Sequence, residues 1–152
     1  MTHREARQYP KAVAVYVGLI KSDPENSETW IWETAETYQA AKQWKEAIGY
    51  YRQSNDFPKN NNAMAYCHRR LKQYKEAIGL YGQVMGASPK SAPLALIQIA
   101  YTQEEAGKKD LAIQALQQVC KRFPKNSYAS QAHARLQDKY KISVTLGGAT
   151  EK

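Results

Sequence analysis

The sequence predicts an all-α fold, a solenoid of antiparallel helix pairs, and three observations carry that prediction. Gln43-Trp44-Lys45-Glu46-Ala47-Ile48-Gly49-Tyr50-Tyr51-Arg52-Gln53 returns as Gln73-Tyr74-Lys75-Glu76-Ala77-Ile78-Gly79-Leu80-Tyr81-Gly82-Gln83, with eight of eleven positions identical at a shift of 30. The alanine inside that stretch recurs as Ala12, Ala47, Ala77 and Ala112, spaced 35, 30 and 35 apart. A proline follows each alanine after 11 or 12 residues, at Pro24, Pro58, Pro89 and Pro124. Self-similarity at such a period marks a repeat architecture, in which a unit buries its apolar face only against its neighbours.

Each unit reads as helix, short turn, helix and proline-marked loop. A large side chain lies one turn beyond each anchoring alanine, at Tyr16, Tyr51, Tyr81 and Leu116, which is the small-then-large spacing of a packed helix stopped by proline. The other helix of the unit shows Ile31, Thr34, Ala35 and Tyr38 at i, i+3, i+4 and i+7, echoed by Leu96, Ile99 and Ala100 and in part by Met64, Ala65 and His68. Asn26, Ser27, Asn60 to Asn62 and Ser91 supply capping chemistry at the starts of these helices. The third unit is about one helical turn short between Pro58 and Ala77, which predicts a stubby helix from Asn61 to Leu71 whose apolar face keeps its phase.

The two ends differ. Tyr9 to Ser22 reads as the second helix of a unit that has only Met1 to Gln8 left for its first. Ala12 to Ile20 is apolar nearly all round and needs cover on two sides. The sequence is therefore read as a fragment of a longer repeat protein, or as presenting a face (Val13, Val17 and Ile20) through which copies associate. That run is followed by Lys21-Ser22-Asp23-Pro24 with no small-residue cleavage site, and is too short to span a bilayer. Ser127 to Tyr140 places Tyr128, Ala132, Leu136 and Tyr140 on one stripe, with Gln131, Arg135, Asp138 and Lys139 away from it. This is the pattern of an amphipathic capping helix. One domain, 1–141, thus divides into a half unit at 9–24, three units at 26–58, 59–89 and 91–124, and a cap at 127–140, with 142–152 a flexible tail.

Composition bounds the chemistry. The net charge of +8 admits an acidic partner or nucleic acid without indicating either. Cys67 and Cys120 form neither a metal-ligand spacing nor a disulfide framework and are read as reduced, packed side chains. No nucleophile motif, phosphate-cradling glycine loop or ligand cluster occurs, so the chain is read as no enzyme, without cofactor or metal. His68 stands where Tyr38 stands one unit earlier and is read as a packing residue, and Glu104, Glu105 and Asp110 are read as solvated charges. Nothing fixes the compartment, the cytoplasm being the default and a bacterial periplasm the alternative for a fragment.

The Ala-x3-large element and the closing proline, as Ala47, Tyr51 and Pro58, Ala77, Tyr81 and Pro89, and Ala112, Leu116 and Pro124, resemble the tetratricopeptide repeat (TPR), whose unit is about 34 residues. The resemblance spans roughly residues 10–140, though no Trp-x2-Leu-Gly-x2-Tyr is intact and Ala35, Ala65 and Ala100 replace the family's glycine. In that family the first helix of each unit lines a concave groove that takes an extended peptide or a helix. The resemblance thus implies a non-catalytic scaffold whose groove residues are Trp32, Glu36 and Gln39, then Asn62, Tyr66, Arg69 and Arg70, then Ile97, Tyr101 and Glu104. The pairs Trp32/Glu36, Asn62/Tyr66 and Ile97/Tyr101 keep one phase, giving an aromatic floor with a basic middle at Arg69 and Arg70. Members of the family that grip a C-terminal carboxylate use Lys, Asn and Arg, and only Asn62 matches in type. The alternative reading, RNA binding through the basic surface, is opposed by Glu36, Glu104 and Glu105 beside the groove. Partners are therefore expected to be another protein, with an acidic segment as one option, and a second copy through the N-terminal helix.

Overall fold

The computed structural model describes residues 3–143, with side chains from residue 8 onward. The described residues form eight α-helices and one 3-10 turn, with no strand among them, and the fold is an all-α repeat solenoid. The helices fall into two compact units, Met1–Gln73 and Tyr74–Lys152.

The N-terminal unit holds α1 (His3–Ser22), a 3-10 turn (Pro24–Asn26), α2 (Ser27–Ala40), α3 (Trp44–Gln53) and α4 (Lys59–Arg70), each helix packed on the next. The C-terminal unit holds α5 (Tyr74–Ala87), α6 (Ala92–Glu105), α7 (Lys109–Arg122) and α8 (Ser127–Tyr140), again packed in series, with α8 also reaching α6. The second set repeats the first. α2 and α6 are each 14 residues, and both their starts (27 and 92) and their ends (40 and 105) lie 65 apart, as do the starts of α3 and α7 (44 and 109).

The anchoring positions make the core. Ala47, Ala77 and Ala112 are each 0% exposed, and Tyr51, Tyr81 and Leu116 are buried one turn beyond them. Ala35, Ala65 and Ala100 are also at 0%, so a methyl group fits where the family carries glycine. The inner helices α2, α4 and α6 end alike. Lys42, Lys72 and Gly107 take left-handed backbone with φ of 60°, 60° and 75°. Each donates its N–H three residues back, and the next residue donates five back, as in Lys42 to Gln39, Gln43 to Tyr38, Gly107 to Glu104 and Lys108 to Gln103. This Schellman closure satisfies carbonyls that the helix end would orphan.

Several expectations are corrected. α1 runs unbroken from His3 through Pro10, so the residues before Tyr9 extend that helix and do not begin another. Proline removes one rung, and the flanking helix formers outweigh that loss. The stubby helix α4 starts at Lys59, two residues before the expected start, and is 12 residues against 14 for α2 and α6. The expected N-cap bonds do not form, except that Asn60 Oδ1 accepts from the Asn61 N–H at 2.9 Å in the first turn of α4. Asn26 Nδ2 donates to the Asp23 carboxylate, Ser91 makes no side-chain cap bond, and Asn60 Nδ2 donates to the carbonyls of Tyr51 and Ser54. Asn126 does cap α8, its Oδ1 accepting from Tyr128 N–H at 2.9 Å. Ile142 packs against the C-terminal core and donates to Leu136 O at 2.9 Å, so the chain stays tied down at the start of the expected flexible tail; residues 144–152 lie outside the described residues.

Candidate functional site

Trp32, on α2, is the expected groove residue that borders a cavity. Its indole N–H donates to Glu36 Oε1 one turn on at 2.9 Å, and its ring meets Tyr51 edge-on at 4.9 Å. The ammonium of Lys59, at the start of α4, lies 4.2 Å from its ring centroid. Glu28, Thr29, Trp32, Glu33, Asp56 and Lys59 line a cavity of about 240 Å³ beside this ring. The wall opposite α2 is pinned. Ser54 Oγ donates to Glu28 Oε1, Asn55 N–H donates to the same oxygen at 3.1 Å, and Asp56 N–H donates to Ser54 Oγ at 3.1 Å. The cavity thus has one pinned wall, one aromatic wall, and three carboxylates against a single ammonium.

A second surface cluster surrounds Trp44 at the start of α3. Tyr66 meets it edge-on at 6.0 Å and is 41% exposed, while the Arg70 guanidinium lies 5.5 Å from its ring centroid. Arg70 is exposed and Arg69 half-buried, and neighbouring helix positions diverge in direction, so the expected basic middle is divided. Asn62 Oδ1 is buried and meets no donor among the described residues. Gln39 is turned inward: Oε1 accepts from Tyr51 hydroxyl at 2.6 Å and lies 3.9 Å from Cys67 Sγ. Burial holds the Tyr51 hydroxyl well above the usual tyrosine range and pushes the Cys67 thiol up to about 11.

Of the three groove residues expected in the C-terminal unit, Ile97 and Glu104 serve the interior, which corrects their assignment. Ile97 is 1% exposed, in one core cluster with Leu96, Leu116 and Leu136. Glu104 has a side chain only 6% exposed; Arg135 Nε donates to its two oxygens at 2.9 and 3.1 Å, Lys139 pairs with it at 3.0 Å, and Tyr140 hydroxyl donates to it at 2.5 Å. It is no solvated charge, and Arg135 and Lys139 do not point away from the array. Burial alone would raise the Glu104 carboxyl, but hydrogen bonds from Tyr140, Lys139 and Arg135 outweigh it and hold the carboxyl below its usual range. Tyr101 is half-buried beneath the Arg135 guanidinium, 5.2 Å from its ring centroid. Tyr140 is pushed up to about 12, by burial and by its hydrogen bond to Glu104.

On α1 the expected self-association residues Val13, Val17 and Ile20 are half-buried, and Tyr16 stacks on Trp30 of α2 at 6.0 Å. The exposed line of α1 runs instead through Ala14, Val15 (60% exposed) and Gly18. His68 is half-buried with Nδ1 2.7 Å from Gln73 Oε1. Among the described residues no group of His, Cys, Asp and Glu could hold a metal ion, and no helix is long and apolar enough to cross a membrane.

Sequence reasoning missed Glu28, Glu33, Asp56 and Lys59. A signal was present on α2, where Glu28, Glu33 and Glu36 stand four before, one after and four after Trp32. Asp56 and Lys59 are brought there by the fold of the loop before α4, which no periodicity encodes.

Comparison with known proteins gives two family matches. The model described as anaphase-promoting complex, cyclosome, subunit 3 matches residues 5–84, just over half of the 152-residue chain, and the model described as tetratricopeptide repeat matches residues 68–136. No curated protein matches. Among solved structures, the nearly identical TPR-like repeats of a putative kinesin light chain from Podosopora anserina align with a TM-score of 0.66 at 19% identity, covering 91% of this chain and 83% of that one. A point-substituted form of those repeats aligns with a TM-score of 0.65 at 18% identity, covering 93% of this chain and 88% of that one. At such identities the likeness is one of fold.

Proposed function

The chain belongs to the tetratricopeptide repeat family, whose repeats are generally protein–protein interaction modules, and on that premise we propose that it binds a peptide or helix of a partner protein without turnover, through the α2–α4 face of its N-terminal unit. One observation carries the choice of face. Trp32 borders an open cavity and Tyr66 is 41% exposed, whereas Ile97 and Glu104 are closed off within the C-terminal unit. Tyrosine, tryptophan and arginine dominate binding hot spots, and Trp32, Tyr66 and Arg70 supply one of each on this face.

Panning a displayed random-peptide library against the full chain tests the reading. Peptides that enrich should lose binding to Trp32→Ala and Tyr66→Ala and keep it with Tyr101→Ala. Enrichment of peptides indifferent to the first two substitutions would move the site elsewhere, and failure of any peptide to enrich would overturn the reading.

A further inference from the structure

The cavity beside Trp32 has a local charge opposite to that of the whole chain. The chain carries a net +8, yet Glu28, Glu33 and Asp56 line this cavity against Lys59 alone. Glu28 is engaged with Ser54 and Asn55, and Asp56 reaches Lys59 only at 3.9 Å with both side chains more than half exposed. Glu33 lines the cavity half-buried, with no ion pair among the described residues.

A cation already sits on the ring. Lys59 Nζ lies 4.2 Å from the Trp32 centroid, on a side chain 62% exposed and therefore free to swing into solvent. An aromatic face rimmed by carboxylates attracts a cation through both the ring quadrupole and charge. A planar guanidinium uses the two together better than an ammonium does, because it stacks while its fork reaches carboxylate oxygens. At about 240 Å³ the cavity falls below the roughly 300–1,000 Å³ of pockets for drug-sized ligands, and suits one side chain. The positions 65 residues on are Pro93, Leu94, Ile97, Gln98, Lys121 and Pro124, which include neither carboxylate nor aromatic ring.

We infer that this cavity is a docking pocket for a basic side chain, arginine above lysine, of a partner peptide, and that Lys59 is a resident competitor which that side chain displaces. The inference rests on the proposed α2–α4 binding face and names the chemistry of its ligand.

The test is a titration of the full chain with N-acetyl-arginine methylamide, read at the Trp32 indole N–H resonance by NMR. Trp32→Phe assigns the resonance, and N-acetyl-norleucine methylamide is the uncharged control. Arginine should shift the resonance and norleucine should not. Lys59→Met, which keeps the aliphatic stem over the ring, should tighten arginine binding by roughly three- to tenfold. Glu33→Gln should weaken it by a similar factor. Both variants alter exposed or half-buried side chains, and circular dichroism should show the fold unchanged. Equal shifts with norleucine, or no tightening in a folded Lys59→Met protein, would overturn the inference. Panned peptides that need Trp32 but carry no basic residue would leave the binding face standing and sink this inference alone. An arginine response at Trp32 with panned peptides mapping elsewhere would support the pocket and sink the proposed face.

Discussion

Trp32 and Ile97 stand at the same point of the two units, 65 residues apart on helices of equal length, and do opposite things. Trp32 borders a cavity with a cation on its face; Ile97 is sealed in the core at 1% exposure. The exchange propagates one turn at a time. Gln39 accepts from Tyr51 on the next helix, α3, whereas its counterpart Glu104 recruits Arg135, Lys139 and Tyr140 from α8. In the N-terminal unit Arg70 of α4 lies over Trp44 of α3, whereas in the C-terminal unit Arg135 of α8 lies over Tyr101 of α6. A repeat thus copies its core and reassigns its inner-helix face. In the C-terminal unit that face holds the cap in place, and in the N-terminal unit it is left to solvent.

The largest expected effect tests whether the two cores are equivalent. Ala47 and Ala112 are both 0% exposed, so Ala47→Asp and Ala112→Asp each bury an unpaired charge and should each cost about 3–5 kcal/mol in chemical denaturation. Markedly unequal costs would break the equivalence of the copies.

Glu104→Gln comes next, because it gives the C-terminal unit the residue type of Gln39. It should cost about 1–3 kcal/mol, the range for stranding buried hydrogen-bonding groups, measured by thermal melting near neutral pH. The carboxyl is held below its ordinary value of 4.5, so the stabilisation it supplies is complete above that value and is lost as pH falls through the lower folded-state value. The wild-type chain should therefore lose its advantage over Glu104→Gln in acid; an advantage independent of pH would show that the carboxylate charge does not hold α8.

The cysteines report the same contrast with smaller changes. Cys67 and Cys120 are 0% exposed, and burial raises both thiols, Cys67 to about 11. Cys120 Sγ donates to Ala129 O on α8 at 3.6 Å, so loosening α8 uncovers it. A thiol reagent at pH 8 should label both slowly. Glu104→Gln should speed labelling of Cys120, by about tenfold for each 1.4 kcal/mol lost, and leave Cys67 unchanged. Equal acceleration would mean that the units open together.

What the sequence made legible is the part that repetition makes redundant. The alanine anchors, the large residue one turn on and the proline stops placed the helices, because each is set by packing that recurs three times. Whether an inner-helix residue reaches solvent was not legible, because phase puts Trp32 and Ile97 on one line and only the neighbouring helix separates them. For Ile97 and Glu104 that neighbour is α8, whose Arg135 and Lys139 read as surface charges until Glu104 lies beside them. For Trp32 it is the 54–58 loop and Lys59 at the start of α4, the loop pinned by Glu28 across 26 residues of sequence. Side-chain capping was overstated for a local reason: Asn26 turned to the Asp23 carboxylate instead.

The smallest effect lies where the two units place different residues at the left-handed position of the same turn. Lys42 and Gly107 occupy equivalent left-handed positions, at φ 60° and 75°, with the same pair of closing hydrogen bonds. Left-handed backbone costs an L residue about 1 kcal/mol and costs glycine nothing, so the N-terminal unit carries a strain that the C-terminal unit avoids. A Cβ added at Gly107 would meet nothing within 4 Å, so the cost of Gly107→Lys is conformational and not steric. Gly107→Lys should therefore destabilise by about 1 kcal/mol and Lys42→Gly should stabilise by somewhat less, because glycine also gains freedom in the unfolded chain. Denaturation midpoints of the two variants measure this directly. Opposite signs would confirm that the two turns are one structure with different residues in it, and a Lys42→Gly that destabilised would mean that the lysine side chain contributes more than its backbone costs.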